Sequence, residues 1–196
     1  ILSPFVYRRY LDYGAIEALR DLKRRINLEV ARKGMHDNIK LGQGGIRELE
    51  FIVQSFQLIR GGRLQGLQVQ SFHQALEQVA MEGLLAEEDK MQLWQAYEFL
   101  RNTEHVLQAI DDKQTQQLPV DELARMRVAA VMGELSWDSF LVRLDSHREN
   151  VHRCFSNMIA DDEVTSSDQS QNTQPQWQPE MNADESLLVL RKLNYQ

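Results

Sequence analysis

The sequence predicts an all-α fold, an antiparallel bundle of about five or six helices followed by a disordered polar tail. Apolar residues recur at helical spacing through most of residues 1–163, which is the signal of amphipathic helices. The chain of 196 residues has only 4 prolines and almost no alternating runs of β-branched residues, which argues against strands. Short loops separate the helical segments, as is typical of a bundle.

Each predicted helix has a recognisable beginning or end. Gly34 suits the position after the first helix and Gly133 the end of the fifth, while Asp121 and Ser136 suit the N-caps of the last two. The acids in "AEED" complement the helix dipole of the fourth. The predicted helices run from about Gly14 to Lys33, Ile46 to Arg60, Ser71 to Met81, Ala86 to Asp111, Glu122 to Met132 and Trp137 to Ile159.

Composition divides the chain into three parts. Residues 1–163 carry the helical patterns and are predicted to form one helical domain. Residues 164–183 are polar and rich in Gln, Ser and Asp, and we expect a disordered linker there. Residues 184–196 contain "LLVLRKLNY", which suits the short helical start of a following region. Because the chain opens without a methionine, we expect it to be an excised fragment.

Charge is unevenly distributed along the chain. Residues 1–63 hold 12 Lys and Arg against 7 Asp and Glu, a balance of +5, whereas the remaining residues carry −12. Any anionic ligand is therefore expected at the N-terminal part, although "DLKRR" is equally consistent with a solvated helix face. No basic stripe with interleaved aromatic residues indicates nucleic acid. No apolar run approaches the roughly 18 residues that span a bilayer, and a single cysteine, Cys154, suits a reducing, cytoplasmic setting.

The segment "IKLGQGGIRELEFIVQSFQLIRGG", residues 39–62, carries the main candidate site. Its glycines permit close backbone approach, and N–H groups at a helix start favour an anion, so Gly44 and Gly45 are candidate phosphate neighbours. The alternative is an ordinary tight turn before a helix. The lysine and hydroxyl of a P-loop are absent. Of the five histidines only His147 and His152 are near each other, and their i,i+5 spacing lacks the one-face geometry of a zinc-binding pair. We therefore expect no metal site from histidines.

The helix of this segment is predicted to be apolar on two sides and therefore packed on two sides. We expect its two polar strips to open to water or to a cleft, because an unpaired buried charge is too costly. The apolar sides are Leu49, Ile52, Val53 and Phe56, and Phe51 and Leu58; the polar strips are Arg47, Glu50, Gln54 and Gln57, and Glu48 and Ser55.

A family resemblance covers about Pro4 to Glu163. The stretch from "PFVYRRYLDYGAIEALRDLKRR" to "KLGQGGIRELEFIVQSFQLIRGG", followed by "DDKQTQQLPVDELARMR", closely resembles the bifunctional glutamine synthetase adenylyltransferase/adenylyl-removing enzyme of bacteria. The resemblance implies two homologous halves, each with a nucleotidyltransferase domain followed by a helical domain. This chain looks like the helical domain of the N-terminal, adenylyl-removing half.

The resemblance also implies a reaction. In that family the adenylyl-removing half phosphorolyses the AMP–tyrosine bond of adenylylated glutamine synthetase to give ADP, and the other half transfers AMP from ATP. The full-length enzyme would use Mg²⁺ and ATP or ADP, with glutamine synthetase, the PII signal protein and its own nucleotidyltransferase domain as partners. The family's Gly-Ser-x-Asp-x-Asp motif is absent from this chain, so we expect the fragment to be inactive alone and to bind no cofactor.

Three roles for the domain stay open at this point. The domain walls the nucleotide cleft or docks the catalytic domain, or it is a binding module for glutamine synthetase or PII with no role in the chemistry. The third possibility is a plain structural spacer. No catalytic residue is expected in the chain. The candidates near phosphate or at the domain interface are Gly44, Gly45, Arg47, Glu48, Glu50 and Gln54.

Overall fold

The computed structural model describes the chain from residue 35 to residue 169, except for residues 112–114. It also describes the isolated positions 7, 21, 24, 25, 28, 30 and 32, and for residue 111 and residues 159–169 it describes the backbone alone. The chain divides into two compact units, Ile1–Met158 and Ile159–Gln196. The described part of the second unit is the helical backbone of residues 159–169.

Between residues 35 and 169 the described residues form five α-helices, which confirms the all-α class. Short 3₁₀ helices at Met35–Asp37 and Gln65–Leu67 lie in the connections. The described part of the chain contains no β-strand, only one isolated β-bridge between Asn38 and Gln117. The helices are α1 (Ile46–Arg60), α2 (Phe72–Met81), α3 (Glu87–Asp111), α4 (Glu122–Val131) and α5 (Trp137–Gln169).

The first predicted helix, about Gly14 to Lys33, lies largely outside the described residues, as does its proposed terminator Gly34. Its six described positions are helical. The other predicted starts and the ends of α1 to α4 agree with the structure to within one residue. Gly133, with φ +79°, follows α4 as expected.

Side-chain caps begin α4 and α5 as the sequence predicts. The Asp121 carboxylate accepts the N–H of Ala124 at 2.8 Å. Ser136 accepts the N–H of Ser139 at 3.1 Å, and the Ser139 hydroxyl accepts the N–H of Ser136 at 3.2 Å. These oxygens satisfy N–H groups that lack a partner within the helix.

The end of α5 differs from the prediction. The helix continues to Gln169, beyond the expected end near Ile159 and into the segment 164–183 that was predicted to be a disordered linker. Low hydrophobicity indicates that a segment has no core to join, but it does not prevent an existing helix from continuing. Residues 170–196, with the rest of the linker and the predicted terminal helix, lie outside the described residues.

The helices of the first unit pack around α3. Helices α1, α2 and α4 all contact α3, and α1 also contacts α2. Helix α5 runs antiparallel to α3, because Phe99 stacks on Phe140 at 5.8 Å between ring centroids while Arg153 pairs with Asp89 at 3.1 Å. The largest fully buried side chains are Phe140, Phe155, Ile39, Ile46, Leu49, Ile52, Leu67, Leu76, Leu93, Leu100, Leu144 and Val79.

Candidate functional site

The glycine-rich turn before α1 is packed tightly against its neighbours. Gly44 has φ +67°, and a Cβ built there would lie 2.2 Å from the Arg148 carbonyl oxygen of α5. A Cβ on Gly45 would lie 2.8 Å from three carbonyl oxygens of the same turn. Glycine is therefore required at position 44 both for its backbone conformation and for contact with α5.

The N–H groups of this turn already have partners. Gly44 donates to the Glu48 carboxylate at 3.0 Å, and Gly45 donates to the Gly42 carbonyl at 3.0 Å. The amides of Ile46 and Arg47 donate to residues 39 and 40 at 3.2 and 3.1 Å. The prediction that Gly44 and Gly45 lie near a phosphate stays a prediction, but in this conformation side chains, and not these amides, would have to bind the anion.

The buried side chain of Glu48 stabilises the start of α1. The N-cap residue is Gly45, which has no side chain to cap the helix, and Glu48 lies in the first turn, where a negative charge is favourable. Its Oε2 accepts the Gly44 N–H and lies 3.4 Å from Nδ1 of His152 on α5. The carboxylate thus joins the turn, α1 and α5.

The expectation that both polar strips of α1 open to water or a cleft is wrong for one of them. Glu48 is 5% exposed and Ser55 is 1% exposed. On this side of the helix, His152 of α5 contacts Glu48 and Phe155 of α5 contacts Phe51. Glu48 escapes the cost of an unpaired buried charge through its contacts with Gly44 and His152. The Ser55 hydroxyl has no hydrogen-bond partner within the described structure.

The other strip is accessible. Arg47 and Gln54 are exposed and Glu50 is half-buried; we call these three residues the α1 strip. Gln57, predicted for the same strip, is instead occupied by hydrogen bonds to the carbonyls of Leu67 and Val69, both at 2.8 Å.

The two predicted apolar sides of α1 are only partly confirmed. Leu49, Ile52 and Val53 are buried in the core. On the opposite side, Phe51 meets Phe155 of α5 edge-on, with ring centroids 5.4 Å apart. Leu58, the other residue predicted for this side, is 39% exposed. The second apolar side is therefore packed at Phe51 but accessible at Leu58.

Glu50 belongs to a charged network with residues outside α1, which the sequence did not predict. Arg101 of α3 donates through Nη2 to Glu50 at 2.7 Å and through Nη1 to Glu104 at 2.8 Å. Glu104 is also 3.4 Å from Nζ of Lys40. The i,i+3 spacing of Arg101 and Glu104 is readable from the sequence, whereas the contacts to Glu50 and Lys40 join residues far apart in the chain.

Arg148 anchors the segment that precedes the glycine turn. Its Nη1 and Nη2 donate to the carbonyls of His36 and Asn38 at 2.9 and 3.1 Å, and burial lowers its pKa. The Asn38 side chain in turn accepts the N–H groups of Lys40 and Leu41 at 3.0 and 2.7 Å. Arg148 and Asn38 thus shape the turn, and nothing in the neighbouring sequence predicts this role for either residue.

The described residues contain neither a cluster of metal ligands nor a reactive thiol. No group of three or more His, Cys, Asp or Glu side chains in this part of the chain is placed to hold a metal ion. Cys154 is buried, and burial raises its pKa to about 12, which makes it a poor nucleophile at neutral pH. Among the described helices, none is long and apolar enough to cross a membrane.

The fold and the site define an all-α helical domain that presents one partly charged helix face. The chain belongs to the family described as GlnD PII-uridylyltransferase, whose sequence profile matches residues 20–159. It is also 46% identical over 192 residues to the "Bifunctional glutamine synthetase adenylyltransferase/adenylyl-removing enzyme" of Psychromonas ingrahamii. This similarity confirms the resemblance seen in the sequence.

The similarity covers only a small part of the relative, which limits the function that can be assigned to this chain. The aligned residues are 98% of this chain but 20% of the relative, so the chain spans about one fifth of the length of that protein. The family description and the name of the relative also refer to different protein substrates. Membership of the family therefore assigns no reaction to this chain by itself.

Proposed function

We propose that the chain is the helical domain that follows the nucleotidyltransferase domain in the adenylyl-removing half of an enzyme that acts on glutamine synthetase. Through Arg47 and Gln54 of the α1 strip, it walls the nucleotide cleft or docks the catalytic domain. The supporting observation is that Arg47 and Gln54 remain exposed, although the opposite side of α1, with Leu49, Ile52 and Val53, is buried in the core.

Arg47 is the strongest candidate for contact with that cleft. It is exposed in the first turn of α1, and its guanidinium has no ion pair or hydrogen bond among the described residues. A guanidinium matches the geometry of phosphate and carboxylate oxygens. Leu58, at the other end of the accessible face, adds an apolar contact for a neighbouring domain.

The proposed Mg²⁺ and ATP or ADP belong to the full-length enzyme. The described residues do not fit a metal, because they bring no three ligands together. We therefore assign the described part of this chain no step in metal chemistry, and limit its role to side chains that orient the nucleotide, phosphate or catalytic domain.

The test is Arg47→Ala in the full-length protein. We expect phosphorolysis of adenylylated glutamine synthetase to fall about tenfold, which corresponds to roughly 1.4 kcal/mol of transition-state stabilisation. Arg63→Ala is the matched control, since Arg63 is exposed in the same basic part of the chain but lies outside the α1 strip. Wild-type phosphorolysis by Arg47→Ala would exclude the direct role of the strip.

A second candidate is a binding module for glutamine synthetase or PII. A specific observation favours it: Leu123 and Met126, three residues apart on one face of α4, are 58% and 61% exposed. Large apolar residues that share one exposed surface often mark protein contacts. Leu123→Ser with Met126→Ser should weaken binding of one of these proteins, measured by calorimetry. Unchanged affinity for both would exclude this surface as their binding site.

A further inference from the structure

Arg47 and Glu50 should pair with each other, yet the structure keeps them apart. They are three residues apart on α1, a spacing at which opposite charges commonly pair on a helix surface. Glu50 instead gives Oε1 to Arg101 Nη2 at 2.7 Å, and the Arg47 guanidinium has no ion pair within the described part of the chain. Arg101 of α3 thus binds one oxygen, Oε1, of the carboxylate that is spaced to neutralise Arg47, and holds that carboxylate toward α3.

The Arg101 guanidinium is fixed in place from three directions. Its two terminal nitrogens bind two carboxylates, Glu50 of α1 and Glu104 of α3, at 2.7 and 2.8 Å. It also lies 5.4 Å from the centre of the Tyr97 ring, and Tyr97 stacks on Phe72 of α2 at 4.1 Å. A planar fork held in this way orients its partners more strictly than a point charge would.

The network balances its own charges. Arg101 and Lys40 face Glu50 and Glu104, two positive groups against two negative ones, with Lys40 3.4 Å from Glu104. Glu104 is buried, its side chain being 5% exposed, so its contacts are little screened by solvent. Among the residues that the structure describes, Arg47 is therefore left as the uncompensated charge of the α1 strip.

We propose that Arg101 is a positioning residue that holds Glu50 away from Arg47 and so keeps Arg47 available to bind an anionic oxygen. The inference rests on the proposed function and refines it. Arg47 contacts the ligand, whereas Glu50 is a held partner and contacts Arg101. The anion is a phosphoryl group of the substrate or a carboxylate of the catalytic domain, since both present the paired oxygens that a guanidinium binds.

Kinetics of the full-length enzyme test the positioning role. Arg101→Met keeps an apolar stem beside Tyr97 but releases Glu50, which is then free to pair with Arg47. Phosphorolysis should fall about tenfold, as for Arg47→Ala. Adding Glu50→Gln removes the competing carboxylate, and the double variant should recover to within about threefold of the wild-type rate. A double variant as slow as Arg101→Met would overturn the inference.

The kinetic constants also distinguish the two sources of the anion. A higher KM for orthophosphate at unchanged kcat indicates that Arg47 binds phosphate. A lower kcat at unchanged KM for orthophosphate indicates a carboxylate of the catalytic domain. If Arg101→Met does not fold, Arg101→Lys is compared in the same way, because one ammonium group cannot reproduce the fork.

A readout independent of activity separates this inference from the proposed function. Phenylglyoxal modification of Arg47, followed by mass spectrometry of its peptide, should be at least threefold slower in Arg101→Met than in the wild type. The rate should be restored by Glu50→Gln in the same background. An unchanged modification rate in Arg101→Met would overturn the inference. Normal phosphorolysis by Arg47→Ala, with the expected modification pattern, would instead reject the proposed function alone.

Discussion

The backbone N–H of Gly44 donates to the buried carboxylate of Glu48 at 3.0 Å. This contact connects the turn before α1 to the first turn of the helix, at a site where the N-cap residue has no side chain of its own. Because Gly44 also lies against the backbone of Arg148, the turn, α1 and α5 depend on one another. The glycine turn is thus a packing junction beneath the exposed Arg47.

We expect Gly44→Ala to lower the free energy of unfolding by at least about 2 kcal/mol, measured by urea denaturation. A left-handed backbone costs a residue with a Cβ roughly 1–2 kcal/mol, and the overlap with Arg148 adds to it. Gly133→Ala is the control, because Gly133 also has positive φ but has nothing within 4 Å of its Cβ position. Equal losses in the two variants would contradict the close contact with α5.

Leu144 tests the packing of α5. Its side chain is 0% exposed, and Leu144→Ala should lower the free energy of unfolding by about 2–5 kcal/mol. Leu135→Ala makes the same chemical change at a fully exposed position and should alter stability by less than about 0.5 kcal/mol. Thermal and urea unfolding of both variants measure the difference. Similar stability of the two variants would show that α5 is not docked through Leu144.

His147 should make the stability depend on pH. The pKa of His147 is lowered, mainly by burial and to a lesser extent by the positive charge of Arg143. A histidine in the unfolded chain has a pKa of about 6.5. The unfolded state therefore binds more protons just below this pH. The contribution of neutral His147 to the free energy of unfolding is complete above about pH 6.5. It is lost as the pH falls through the pKa that His147 has in the folded protein.

The corresponding measurement is the melting temperature between about pH 5 and 8. His147→Gln should show a smaller loss of stability on acidification than the wild type, whatever its stability at neutral pH. His105→Gln is the control, because His105 is exposed and its removal takes no buried ionisable group from the fold. An unchanged pH dependence in His147→Gln would contradict the prediction.

Cys154 should resist alkylation in the folded protein. With a pKa of about 12, its thiolate is scarce at pH 8, while an unfolded cysteine has a pKa of about 8.5. Iodoacetamide should therefore react at least about a hundredfold more slowly in the native state than in urea. Mass spectrometry follows the modification with time. Comparable rates in the two states would show that the thiol is neither buried nor protonated.

The local features of the fold were largely predictable. The spacing of apolar residues predicted α1 to α4 to within a residue at each end, because helical periodicity is a local property. Asp121 and Ser136 were predictable as caps for the same reason. The end of α5 was not predictable from composition, because a polar sequence can continue a helix without contributing to a core.

The candidate site was predictable only in part. The sequence placed Arg47, Glu50, Gln54 and Gln57 on one strip. Arg47 and Gln54 are exposed, but Glu50 is half-buried and Gln57 is bonded to two backbone carbonyls. It also placed Glu48 on a polar strip, but a helical wheel cannot show that Glu48 is buried and contacts His152 of α5. The roles of Gly44 and Gly45 near phosphate stay predictions, although their amides are already bonded.

The sequence by itself determined the all-α class, most helix boundaries and the family, because each depends on residue type and spacing along the chain. Only the tertiary structure decided which charge stays available. Arg47 and Glu50 are neighbours on α1, and local rules would pair them. The fold brings Arg101 to 2.7 Å from Glu50 across 51 positions of sequence. Such a contact is set by the packing of α1 against α3, and no local pattern encodes it.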